Sequence, residues 1–171
     1  MSNAGNKDVT AAATIALLKE RRVSVEDIAE IVLMLQKDYF PELTLEECVR
    51  NVERVLTKRE VQNAVLTGIQ LDILAEQGKL IQPLQDIVRN DEGLYGCDEV
   101  LALSIVNVYG SIGMTNFGYV DKLKPGIMKE LNRKDGPYCN TFLDDIVGAI
   151  ASAASSRIAH QKREKKEQPS D

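Results

Sequence analysis

Apolar residues recur along most of the chain at the three- and four-residue spacing of an α-helix. After Ser24, for example, Ile28, Ile31, Val32 and Leu35 fall on one helical face. Alternation of apolar and polar residues over the length of a strand is hard to find. The pattern therefore predicts an all-α protein.

Polar residues, prolines and glycines mark where the predicted helices begin and end. Ser24, Thr44, Thr57 and Thr141 are the expected N-caps, each followed three residues later by an acidic residue. The predicted helices cover 9–20, a stretch from Ser24, a stretch from Thr44, Thr57 to about Gln77, 80–88, a stretch from Cys97, 119–133 with a break near Lys124-Pro125-Gly126, and 141–160. We expect a single-domain bundle of about seven to eight helices over residues 5–160, followed by a charged, disordered tail at 161–171.

The stretch from Val100 to Val120 contains no charged residue and is long enough to cross a bilayer. Its serines, asparagines and glycines make it too polar for a convincing span. We therefore expect a buried helix that runs into a loop. Because this helix is apolar nearly all round after Cys97, we expect it to be the central helix of the bundle.

Composition narrows the class of protein. The chain has 171 residues, 44% of them hydrophobic and 27% charged, which argues against disorder. Its net charge of −5 argues against binding to nucleic acid. The three cysteines are odd in number and widely spaced, which fits a reducing, cytoplasmic compartment.

Three groups of carboxylates lie in the least charged part of the chain. They are Asp98-Glu99, Asp121 and Asp144-Asp145, and the first and last groups directly precede long uncharged stretches. One interpretation is helix capping, since acids in a first turn are stabilised by about 0.3–1 kcal/mol by the helix dipole. The other is a Mg²⁺ site, because buried carboxylates need a cation and magnesium prefers oxygen ligands. With His160 as its single histidine, the chain offers little for zinc.

Lys124 follows Asp121 by three residues, so the two share a face if the turn is helical. The pair is either a surface ion pair or an acid beside a lysine that binds phosphate. Lys122 stays open as an alternative, because the following Pro125-Gly126 breaks the periodicity.

In order and spacing, three motifs resemble the phosphatidylglycerophosphatase A family. They are Asp98-Glu-Val, Asp121-Lys-Leu-Lys-Pro125 and Asp144-Asp-Ile-Val-Gly-Ala149, the last with its two small residues exchanged relative to the family pattern. The chain lacks the Gly/Pro/Thr-rich segment near the start of the membrane-bound members. It is more similar to a soluble branch named after a low-temperature-requirement C protein, through stretches such as Thr67-Gly-Ile-Gln-Leu-Asp72.

The resemblance implies a Mg²⁺-dependent phosphatase that removes the terminal phosphate of phosphatidylglycerophosphate or a related phosphomonoester. It implies that Asp121, Asp144 and Asp145 hold the metal. It also implies that Lys124 binds the phosphate, while Asp98 and Glu99 serve as further ligands or as the base for water.

Two other hypotheses stay open. One is a non-catalytic helical binding or regulatory protein that keeps its carboxylates as a cation site or as caps. The other is a peripheral membrane protein bound through the tail at 161–171, whose mixed charges give it little support. The expected partners are a phospholipid or small phosphomonoester and no nucleic acid, with room for membrane-surface contact and a homo-oligomer.

Overall fold

The computed structural model describes residues 3–167, and within them the fold is a single all-α domain without strands. The helices are α1 (Asn3–Glu20), α2 (Val25–Gln36), α3 (Leu45–Leu56), α4 (Arg59–Glu76), α5 (Leu84–Arg89), α6 (Cys97–Val106), a 3₁₀ turn (Asn107–Tyr109), α7 (Gly110–Leu123), α8 (Ile127–Leu131) and α9 (Leu143–Glu167). The prediction of an all-α, single-domain bundle is confirmed.

Two predicted N-caps are confirmed. Ser24 Oγ accepts a hydrogen bond from the Asp27 amide at 3.0 Å, and Asp27 Oδ2 accepts one from the Ser24 amide at 2.8 Å, which completes a capping box at α2. Thr44 Oγ1 accepts from the Glu47 amide at the start of α3.

The predicted cap at Thr57 is wrong. Helix α3 runs to Leu56, so Thr57 becomes its helical C-cap and donates its hydroxyl to the Arg54 carbonyl at 2.8 Å. The next helix, α4, begins only at Arg59, and Lys58 precedes it without a side-chain cap.

The central helix of the bundle is α9, which packs against α2, α3, α4, α6, α7 and α8. Every residue from Thr141 to Ser156 is buried. Small side chains allow this close packing: a Cβ on Gly148 would lie 2.9 Å from Met128 Cε, and Ser156 donates to the Tyr109 carbonyl at 2.8 Å.

The stretch after Cys97 differs from its prediction. It is helical from Cys97 to Leu123, with no loop at the glycines. Gly110 adopts a positive φ of 77° where the 3₁₀ turn meets α7. Gly113 instead stays helical and lets Val106 approach, since a Cβ there would lie 3.0 Å from Val106 Cγ1.

This stretch is also not the central helix, because one side of it faces outward. We call its exposed side chains the α6–α7 face; they are Val100, Val108, Met114, Tyr119 and Leu123, and Val100 is 66% exposed. Within residues 3–167, Cys97–Leu123 is one helical stretch long and apolar enough to cross a membrane, judged by length and composition alone. Its most apolar window has a mean hydropathy of 1.4 and is only 28% buried in the fold.

Helix α9 continues past His160 to Glu167, into the segment expected to be a tail. Lys162 holds this end against the bundle through ion pairs to Glu42 and Glu47 at 3.2 and 3.4 Å. Residues 168–171 of the expected tail lie outside the described residues.

Candidate active site

The three carboxylate groups identified in the sequence meet in space. The N-terminus of α6, the C-terminus of α7 and the N-terminus of α9 converge on a cavity of about 110 Å³. The cavity contains all six candidate site residues in its lining: Asp98, Glu99, Asp121, Lys124, Asp144 and Asp145. Lys122 is exposed and does not line it.

Lys124 is the point on which the carboxylates converge. Its Nζ donates to Asp121 Oδ1 and Asp144 Oδ2, both at 2.7 Å, and lies 3.5 Å from Asp145 Oδ1. Burial works to lower the pKa of Lys124, but the charge of Asp144 and the hydrogen bonds from Asp121 and Asp144 outweigh it and raise the pKa. The lysine is therefore a fixed positive charge at neutral pH.

The backbone at Lys124 explains how its side chain reaches α9. Lys124 ends α7 in the left-handed region, with φ 46° and ψ 56°. That conformation is uncommon for residues other than glycine, and Pro125 directly after it cannot continue the helix. The chain therefore turns at Lys124, and its ammonium meets carboxylates from both α7 and α9.

The start of α9 is held by Asp72, a residue of α4 that is fully buried. Its carboxylate accepts hydrogen bonds from the Phe142 amide at 3.1 and 3.2 Å and from the Leu143 amide at 3.0 Å. Burial raises the pKa of Asp72 to about 8, against the lowering effect of these backbone bonds. Asp72 thus caps the helix whose first turn carries Asp144 and Asp145.

The expected N-cap, Thr141, is therefore wrong. Its hydroxyl donates to the Val88 carbonyl at 2.7 Å and so fastens α9 to α5 instead. Sequence reasoning placed Asp72 only in a family-like stretch and gave it no role. The available signal was a carboxylate between apolar neighbours, Leu71 and Ile73, in the middle of a helix.

Asp144 and Asp145, the two acids in the first turn of α9, both have raised pKa values. Protons therefore compete with cations for their carboxylates. Burial raises the pKa of Asp144 to about 6, with Lys124 opposing the shift. Burial and then the neighbouring charge of Asp144 raise the pKa of Asp145 to about 8. Both shifts reflect mainly the cost of keeping a charged carboxylate away from water.

Asp98 and Glu99 occupy different environments at the start of α6. Asp98 is buried, and its Oδ1 has no hydrogen-bond partner among the described residues. Burial raises the pKa of Asp98, opposed by hydrogen bonds from the first amides of the helix. Glu99 is exposed at the rim of the cavity.

Sequence reasoning missed three further polar residues in the cavity wall, Asp91, Glu92 and Asn132. Asp91 has a positive φ of 51° and pairs with Lys134 at 3.1 Å. Its signal was the turn-like Asn90-Asp91-Glu92-Gly93 just before the first motif. No sequence pattern indicates Asn132, because it lies outside the three motifs and only the fold places it next to their carboxylates.

The chemistry of the cavity fits a hard cation better than a transition metal. Of the described residues that line it, only Lys124 is basic, acidic side chains outnumber it, and one buried oxygen of Asp98 lacks a partner. Oxygen ligands of this kind suit Mg²⁺. Among the described residues, however, no three acidic, histidine or cysteine side chains are grouped to hold a metal ion. The Lys124 ammonium contacts three of the carboxylates that would be needed.

A family model matches most of the chain. Residues 12–160 match the model for phosphatidylglycerophosphatase A, and the chain belongs to that family. The match extends well beyond the three motifs and takes in Asp72 and the second half of α1.

Relatives of the chain cover nearly its whole length. It is 67% identical to the uncharacterized protein YutG of Bacillus subtilis over 148 residues, which is 86% of this chain and 89% of that protein. Among solved structures, it resembles the low temperature requirement C protein of Listeria monocytogenes, with a TM-score of 0.88 and 64% identity over 90% of this chain and 97% of the other. A protein of unknown function from Bacillus stearothermophilus has a TM-score of 0.87 and 67% identity over 88% and 94% of the two chains.

Proposed function

We propose that the protein is a Mg²⁺-dependent phosphatase that removes the terminal phosphate from phosphatidylglycerophosphate or a related phosphomonoester. The observation that carries the proposal is the junction of Asp121, Asp144 and Asp145 around the Lys124 ammonium, in a chain of this family. Fixed charges at the place where phosphoryl charge develops are the main requirement of phosphate transfer.

Each side chain has a role that suits its surroundings. Asp121, Asp144 and Asp145 would hold Mg²⁺, which when bound supplies positive charge to offset the charge developing on the phosphoryl oxygens. Lys124 donates to a phosphate oxygen, which requires its ammonium to turn away from the carboxylates. Asp98 or Glu99 accepts the proton of the attacking water, and burial, which raises the pKa of Asp98, makes its carboxylate a stronger base.

A lipid substrate would be met at the membrane surface by a cytoplasmic protein. Exposed apolar side chains neighbour three cavity residues in the sequence: Leu94 follows Gly93, Val100 follows Glu99 and Leu123 precedes Lys124. Apolar side chains around a polar site suit an amphiphilic substrate. This placement supports peripheral contact with lipid.

The test is phosphate release from phosphatidylglycerophosphate in mixed micelles, with Mg²⁺ and with chelator, beside soluble phosphomonoesters. We expect chelator-sensitive release from the lipid or from a soluble ester, and loss of release in Asp144→Asn. Asp86→Asn, an exposed acid on α5 outside the cavity, is the matched control and retains turnover. Unchanged turnover in Asp144→Asn would refute the proposal.

A second candidate is a non-catalytic helical binding protein. The observation that favours it is that Lys124 Nζ lies within 2.7 to 3.5 Å of all three carboxylates that would hold the metal. On this hypothesis Mg²⁺ raises the thermal stability of the protein, but no phosphomonoester is hydrolysed.

A further inference from the structure

The acid cavity adjoins two larger cavities, and we call the three together the groove. A second cavity of about 290 Å³ shares Asp91, Asn132 and Asp144 with the acid cavity. A third, of about 470 Å³, shares Arg133, Tyr138 and other residues of the loop between α8 and α9 with the second. The groove therefore leads from the carboxylates along this loop, with a volume far larger than one phosphate group needs.

Basic side chains line the groove beyond the acids, and most of them are neutralised. Arg133 pairs with Asp135 at 2.8 Å and Lys134 pairs with Asp91 at 3.1 Å. Arg21 is buried and pairs with Glu76. These residues form the wall of the groove and leave little charge for a ligand.

Arg89 is different. It ends α5, is exposed, and lines the second cavity together with Asp144. It makes no ion pair and no side-chain hydrogen bond with another described residue. Arg22, in the third cavity, also lacks an ion pair, but its guanidinium is stacked 4.2 Å above the Tyr138 ring. Among the described residues, Arg89 is thus the cation without an ion pair that shares a cavity with Asp144, a proposed metal ligand.

We infer that this second cavity binds the part of the substrate that remains after phosphate release, with Arg89 holding a second anionic group. The inference rests on the proposed function and narrows its substrate class to phosphomonoesters that carry another phosphate or phosphodiester. A guanidinium offers paired donors to two oxygens of such a group. A cavity of about 290 Å³ holds roughly ten waters' share of liquid volume, enough for a short polyol between the two anions.

The experiment compares three substrates that separate the sources of the second anion. Glycerol 3-phosphate has one anionic group, the deacylated headgroup of phosphatidylglycerophosphate has two and is soluble, and the intact lipid has two with acyl chains. For each, kcat and KM are measured with the native chain, Arg89→Gln, Arg89→Lys and Arg50→Gln. Arg50 is an exposed arginine of α3 outside the groove and is the matched control.

We expect kcat/KM for the deacylated headgroup to exceed that for glycerol 3-phosphate in the native chain. Arg89→Gln lowers this ratio about tenfold through KM, the effect of one lost charged hydrogen bond. Arg89→Lys restores part of the ratio and Arg50→Gln does not change it. If kcat/KM exceeds that for glycerol 3-phosphate only with the intact lipid, the gain comes from the acyl chains and the role of Arg89 is refuted.

The outcomes separate this inference from the proposed function. If the native chain hydrolyses none of the substrates, the phosphatase proposal fails and the substrate subsite fails with it. If it hydrolyses them and Arg89→Gln leaves the ratio between them unchanged, the phosphatase proposal stands and the role of Arg89 is refuted.

Discussion

Replacing Asp72 with alanine should destabilise the whole domain, although Asp72 does not line the cavity. The substitution leaves the amides of Phe142 and Leu143 buried without an acceptor, since these residues are 2% and 0% exposed. Each unsatisfied buried amide costs about 1–3 kcal/mol, and relief of the buried carboxyl offsets part of that. We expect the free energy of unfolding to fall by about 3 kcal/mol. Asp72→Asn keeps one acceptor oxygen and should lose about 1 kcal/mol.

Urea unfolding followed by far-UV circular dichroism measures the loss. With a slope of about 2 kcal/mol per molar urea, the midpoint for Asp72→Ala should fall by about 1.5 M. Asp86→Ala, an exposed acid on α5, is the control and should stay within about 0.5 kcal/mol of the native chain. A loss below about 1 kcal/mol in Asp72→Ala would refute the assignment of Asp72 as the cap of α9.

Three further predictions concern packing and the titration of the site. Gly68→Ala should lower stability by about 1–3 kcal/mol, because its Cβ would lie 2.4 Å from Ile146 Cδ1; urea unfolding measures this. Gly118→Ala should raise stability by about 0.5–1 kcal/mol, since alanine favours the helix and nothing lies within 4 Å of its Cβ; a loss of stability in the same assay would contradict this prediction. Mg²⁺ affinity, measured by calorimetry, should increase from pH 6 to pH 8. The reason is that protons must leave Asp144 and Asp145, whose pKa values are raised to about 6 and about 8. An affinity that stays constant or falls over this range would exclude the two residues as ligands.

The sequence was informative where local chemistry decides the structure. Ser24 and Thr44 cap their helices as predicted, because a cap depends on residues three positions away. The carboxylate groups could be picked out as a candidate site, because acids next to long apolar stretches need a partner. Their meeting around Lys124 depends on the path of the chain from the end of α7 through α8 to the start of α9.

The errors arose where a distant contact replaces a local one. Asp72 lies seventy positions from the amide it caps, so nothing near Thr141 in the sequence reveals it. The helix after Cys97 was expected to be central because of its apolar residues, but apolarity does not distinguish a buried face from an exposed one. The buried central helix is α9 instead, because its small residues let several helices pack closely against it.

The α6–α7 face bears on how the protein loses its structure on heating. When α6 and α7 separate from α9, a stretch with a mean hydropathy of 1.4 becomes exposed on both sides. We expect chains in that state to associate through this apolar stretch, as partly unfolded chains with exposed apolar surface commonly do. Thermal denaturation is therefore expected to end in aggregation, and the temperature at which structure is lost should rise with the scan rate. The lifetime of the folded protein at high temperature is then set by the rate at which α6 and α7 detach from α9. Equilibrium unfolding in urea does not measure the kinetic barrier to this step.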